Sequence, residues 1–263
     1  MIFPYPWAET VLPNGLLVVA IPLDTPGLAG HYVAVRTGSR NETEPGRSGF
    51  AHFFEHMMFR GTPRYPPERY NDVLKRLGAD GNAFTTDDWT CYHVVAASSA
   101  LDVVMDLESD RFMNLEYGVE AFQKEAAAVL GEYNKNASIP FNALFEKLHD
   151  TAYTTHTYKH TTMGFLKDIE DMPNQFEHSL SFFERWYRAD NARPRGGGRR
   201  RPGEGVRSRT PVLRRVAAGN RSVHDAGRAQ AGGGAIGAHR VARADPPAAR
   251  DRVPQPGVRP RLA

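Results

Sequence analysis

The chain has 263 residues, enough to bury a sizeable core in one large domain or two small ones. Its net charge of +3 hides a division: residues 193–263 carry seventeen arginines, no lysine and four acidic residues, a local charge of +13, leaving residues 1–192 at −10. The single cysteine, Cys91, excludes an internal disulfide framework, and no run approaches the roughly 20 apolar residues of a membrane-spanning helix.

The start, MIFPYPWAET, has neither a basic n-region nor a continuous apolar h-region. Read from Met1, the product is expected in the cytoplasm; a misassigned start codon would hide an export signal and make it periplasmic or exported. Asn14-Gly15 is a turn signal between Thr10–Leu12 and the apolar run Leu16–Ile21, which predicts a hairpin. Pro22–Gly30 reads as loop, His31–Thr37 as a strand, and Gly38–Ser48 as a polar loop. Glu68–Leu77 has helical spacing and stops at Gly78. Gly81–Thr86 and Trp89–Ala97 read as paired strands about Asp87-Asp88. Helices are expected over Ala100–Asn114, Val119–Lys135, Phe141–Tyr153 and Asn174–Tyr187. This order predicts an α+β fold, a largely antiparallel sheet with helices packed on one face.

The stretch Gly49–Gly61, GFAHFFEHMMFRG, carries the chemistry. It contains His52, Glu55 and His56 in the pattern His-x-x-Glu-His. On a helix, residues four apart lie one turn apart on one face, so two imidazoles at that spacing make a ready pair of zinc ligands. A neighbouring carboxylate that does not ligate can serve as general base. Phe53, Phe54, Met57, Met58 and Phe59 point largely elsewhere and would bury the helix. A zinc site of two histidines needs a third protein ligand, and the best candidates are Glu125 and Glu132, seven apart on one face of the helix Val119–Lys135.

With Glu132 placed 76 positions after His56, the motif resembles the pitrilysin/insulinase family of zinc metallopeptidases, the inverzincins. LPNGL near the start, RTGSR before the motif, GNAFTT after it and WYRADNA near residue 190 match as well, so the resemblance covers about residues 10–192. It implies the N-terminal catalytic half of such an enzyme: one Zn2+ held by His52, His56 and Glu132, water activated by Glu55, and Glu125 supporting the site. It also implies that a peptide substrate adds as a strand along Asn82, Ala83 and Phe84. The implied function is hydrolysis of extended peptides or unfolded polypeptides by a zinc endopeptidase. The alternative is a non-catalytic structural subunit of a paired complex, which the intact His-x-x-Glu-His and Glu132 argue against.

From Arg193 the chain departs from the family pattern. Arg, Gly, Pro and Ala make up 49 of the 71 residues of 193–263, and there is no aromatic residue. Too little apolar surface is available to offset ordering entropy, so disorder is expected there. The expected organisation is an incomplete pitrilysin-like domain over 1–192 followed by this tail. An out-of-frame read of a GC-rich gene accounts for it best, because the tail replaces fold-completing strands; the alternative is a genuine basic tail. Without those strands, and without the second pitrilysin-like half or subunit that would close over the peptide, the chain by itself is expected to be weakly active or inactive. No nucleic-acid partner is expected, since the tail lacks aromatics for base stacking and any recognition motif.

Overall fold

The structure is a computed structural model that describes residues 5–192. The expectations for the Arg-rich tail of 193–263 lie outside the described residues. The first hairpin forms where the turn signal places it: β1 (Ala8–Val11) pairs antiparallel with β2 (Leu17–Ala20) in the register Val11↔Leu17. Gly15 takes φ +88° in the turn, and the Leu16 amide donates to Asn14 Oδ1 at 3.1 Å.

The main sheet has three antiparallel strands in the order β3 (Leu28–Val35), β5 (Thr90–Ala97), β4 (Asp80–Thr85). Among the described residues the first hairpin forms a separate two-stranded sheet. Strand β3 begins at Leu28, inside the stretch expected to be loop, because Leu28 and Gly30 find partners in Ala97 and Val95 of β5. That pairing is a tertiary fact with no trace in the local pattern. Tyr92, Val94 and Ala96 of β5 share one face and are buried under helices, whereas on the other face Tyr32 and His93 stack at 5.6 Å with Tyr32 62% exposed.

Seven helices are described: α1 (Phe50–Met57), α2 (Pro67–Leu77), α3 (Leu101–Asn114), α4 (Val119–Ala137), α5 (Pro140–Ala152), α6 (Leu166–Asp171) and α7 (Phe176–Trp186). The sequence pattern does not announce α6, which is too short to show a period. Helix α2 stops at Gly78, whose φ of +59° is the left-handed cap that glycine adopts without a Cβ penalty. Helix α1 packs on α4, α7, β4 and β5. It begins at Gly49, where φ is +92° and an added Cβ would lie 2.3 Å from Ile169 Cδ1, so only glycine fits. Its buried side chains Phe50, Phe53, Phe54 and Met57 join Phe122, Ala126 and Val129 of α4, Phe182 and Phe183 of α7, and Tyr92 of the sheet in one core. A second apolar cluster joins Tyr70 and Leu74 of α2 to Val94 and Ala96 of β5 and Val104 and Leu107 of α3.

Phe54 is fully buried and stacks on Phe182 at 5.4 Å and on Phe183 at 5.6 Å. Replacing it by Ala removes about 3–5 kcal/mol of stability, because the ring's burial is lost and a cavity remains. Urea denaturation of Phe54→Ala is therefore expected to show a much lower midpoint at unchanged slope.

Candidate metal centre

Because the Phe and Met side chains of α1 enter the core, His52 and His56 share the side of the helix that faces α4. Helix α4 buries Phe122, Ala126 and Val129 against α1 and thereby fixes which of its residues face the histidines. Glu125 and Glu132, two turns apart, both lie on that side.

Three donor atoms converge. His52 Nε2 and His56 Nε2 are 3.3 Å apart, and Glu132 Oε2 lies 3.2 Å from His56 Nε2 and 3.6 Å from His52 Nε2. Tetrahedral zinc ligands at about 2.0–2.1 Å from the ion stand roughly 3.3–3.4 Å from one another, so the triangle has the size of one face of a zinc site. The donor chemistry agrees with the size. His56 Nδ1–H donates to Glu125 Oε1 at 2.9 Å, which leaves a lone pair on Nε2 facing the other two donors. Three electron-rich atoms at this spacing repel unless a cation or a shared proton lies among them.

The environment sorts the protonation states. Burial, and then the neighbouring His56, pushes the His52 pKa down to about 4, so its ring stays neutral, as a ligand must be. The bond that His56 donates to Glu125 raises the His56 pKa above its ordinary value. Burial alone would push Glu125 up, but the bonds from His56 and Arg60 outweigh it and hold the carboxyl below its ordinary value. Both Nε and Nη2 of Arg60 reach Glu125 Oε2, so the carboxylate is held from two sides.

Glu55 is half-buried beside this triangle. Burial raises its pKa, against the pull of a 2.6 Å hydrogen bond that Thr85 Oγ1 donates to its Oε2. Thr85 belongs to β4, which pairs with β5 alone and so leaves one edge free among the described residues. The Thr86 amide donates to the Trp89 carbonyl at 2.9 Å, which makes 86 and 89 a hydrogen-bonded pair. By antiparallel alternation, Asn82 and Phe84 then exchange bonds with His93 and Cys91, whereas Ala83 turns its N–H and C=O to the free edge. Asn82 Oδ1 accepts that Ala83 N–H at 2.9 Å.

Thus the structure brings His52, His56, Glu132, Glu55 and Glu125 together, and sets Asn82, Ala83 and Phe84 on the adjoining strand. Sequence reasoning missed Arg60 and Thr85. Arg60 lies within the motif stretch and Thr85 within GNAFTT, but neither sits at a spacing that marks a partner.

The profile of the insulinase family, peptidase family M16, matches residues 19–165. The chain is 32% identical over 186 residues to the zinc protease PqqE of Helicobacter pylori, spanning 70% of this chain and 41% of that relative. It is 30% identical over 181 residues to the probable mitochondrial-processing peptidase subunit beta of Schizosaccharomyces pombe, spanning 69% of this chain and 39% of that one. Among solved structures, a protease from Helicobacter pylori superposes with a TM-score of 0.69 at 29% identity, over 72% of this chain and 45% of that chain.

Zinc titration of the purified chain is expected to give one tightly held ion, and His52→Ala or His56→Ala to abolish it. A variant of either kind that keeps full stoichiometric zinc would exclude the donor set. Glu125→Gln leaves the donors in place but lets the His56 ring turn, and a 10- to 100-fold weaker affinity is expected.

Proposed function

Because the chain belongs to the insulinase family, peptidase family M16, we propose that its described part is a zinc endopeptidase module that cleaves extended peptides. The observation that carries this reading is the convergence of His52, His56 and Glu132 with a carboxylate outside that donor set, Glu55, held beside them by Thr85.

In this reading His52, His56 and Glu132 would hold one Zn2+. Zinc supplies Lewis acidity: it polarises a peptide carbonyl and acidifies water. Glu55 accepts the proton of the attacking water and passes it to the departing amine. Burial suits it to the task, since a raised carboxyl pKa brings the acid and base forms closer in energy at neutral pH. The hydroxyl and the backbone of Thr85 both hydrogen-bond to Glu55 and hold its carboxylate in place. Glu125, braced by Arg60, keeps the His56 ring in its ligating tautomer.

The peptide would lie along the free edge of β4. Ala83 would supply the rungs, its carbonyl accepting from a substrate N–H and its amide exchanging Asn82 Oδ1 for a substrate carbonyl. The side chains of Asn82 and Phe84 are exposed on the same strand and would flank the bound peptide. The chain spans only 41% of the PqqE relative, and the processing-peptidase relative is named as a subunit. Both support a partner for this module, a second pitrilysin-like half or subunit that closes over the peptide. A purely structural subunit would have no use for Glu55 held beside three converging donors.

Glu55→Gln is expected to keep its zinc and lose nearly all hydrolysis of an unstructured fluorogenic peptide, because an amide cannot accept the water's proton. Wild-type turnover in that variant would remove Glu55 from the reaction. A peptide N-methylated where it faces the Ala83 carbonyl should bind roughly fivefold more weakly, the equivalent of one hydrogen bond of about 1 kcal/mol. Equal affinity, read by fluorescence anisotropy, would remove the added-strand mode.

A further inference from the structure

The two histidines are held in different ways. His56 is oriented by its Nδ1–H bond to Glu125, whereas His52 Nδ1 is buried and has no hydrogen-bond partner among the described residues. On the side away from the other donors, therefore, only the backbone of α1 and the packing around it set the His52 ring. We infer that Glu42 is a positioning residue for this centre, fixing His52 through the first turn of the helix that carries it. The inference rests on the zinc reading above.

Glycine at the start of α1 offers no side chain to its first-turn amides. Glu42 takes that part from seven residues upstream: its Oε2 accepts from the Gly49 amide and its Oε1 from the Ala51 amide, each at 2.7 Å. The Ala51 amide belongs to the Phe50–Ala51 peptide unit, so the bond fixes the backbone one residue before His52. Glu42 is itself 6% exposed, and its own amide donates to the Ser39 carbonyl at 3.1 Å, which leaves it little freedom. Around it, Ser48 Oγ donates to Asp168 Oδ2 at 2.6 Å and accepts from the Phe165 amide at 2.8 Å, so the chain before α1 is tied to the start of α6. His160 Nδ1 stands 3.7 Å from Glu42 Oε2. Burial pushes the Glu42 carboxyl up to about 8 although both amide bonds favour its ionised form, as befits a group almost cut off from water. A cap of this kind sets both the rotation and the starting point of an eight-residue helix. Both donor histidines ride on that helix, and the donor spacings of 3.2–3.6 Å leave little room for it to turn.

The test is Co2+ titration of the full-length chain, followed by the visible absorption that a four-coordinate cobalt site gives. Glu42→Gln has about the same shape as Glu42 but lacks the second acceptor at every pH. It is expected to bind Co2+ at least about tenfold more weakly, with a shifted and weaker band. Val104→Ala, in the separate cluster of α2, β5 and α3, serves as a control for destabilisation, with thermal melting measured on both variants, and is expected to keep the wild-type band and affinity. If Glu42→Gln does not fold, Glu42→Asp, whose shorter side chain reaches only one of the two amides, carries the same comparison. A wild-type spectrum and affinity in the Glu42 variant overturns the inference while leaving the zinc reading intact. So does an equal loss in Val104→Ala, which would make the effect one of stability alone. Failure of the wild-type chain to bind Co2+ overturns the zinc reading and this inference with it.

Discussion

Helix α1 has eight residues with which to satisfy two opposed demands, and the rest of the described structure follows from how it does so. One side must be dry enough to anchor it in a core of Phe50, Phe53, Phe54 and Met57. The other must present two imidazoles to a polar pocket. A helix meets both because its period separates residues three and four apart from those between them. The apolar side draws α4 and α7 onto α1 and the sheet beneath it. Once α4 is packed there through Phe122, Ala126 and Val129, its Glu125 and Glu132 have no direction to take except toward the histidines. Hydrophobic burial thus positions the polar donors.

The electrostatics is layered outward from the triangle. Three electron-rich atoms at 3.2–3.6 Å form an unfavourable cluster until a positive charge enters it. Burial keeps His52 neutral, while Glu125 keeps His56 in one tautomer and is kept ionised in turn by Arg60. Each layer removes one degree of freedom from the one inside it. Glu132, the most solvent-open of the three donors, has no comparable brace among the described residues, as would suit a group that completes the set only when a cation is present.

Thr85 ties the sheet to this centre. It sits on β4, two residues beyond the amide and carbonyl that Ala83 turns to the free edge, and it donates to Glu55. A peptide added to that edge would therefore be placed against Glu55 by the strand that already holds it, with no loop in between. This connection gives GNAFTT a meaning beyond a hairpin strand: alternation sends Ala83 outward to the edge and points the side chains of Ala83 and Thr85 toward α1.

Much of this was legible in the chain before folding. The hairpin at Asn14-Gly15, the stop at Gly78, the helices α2, α3, α4, α5 and α7 and the His-x-x-Glu-His helix all carry local signals, because turn chemistry and the 3.6-residue period act over a few neighbours. The family resemblance rested on motifs of the same short range. What no short stretch contains is pairing across the chain. The extension of β3 to Leu28 depends on its pairing with Ala97 of β5, 69 residues later. Arg60 and Thr85 acquire their partners only when α4 and β4 are brought to α1, and Glu42 becomes a cap only when its loop folds back onto Gly49 and Ala51. By itself the sequence determined which residues could ligate, cap or line a strand. The tertiary structure decided which of them meet, because a hydrogen bond or a donor triangle depends on distances of about 3 Å that only packing of distant segments can set.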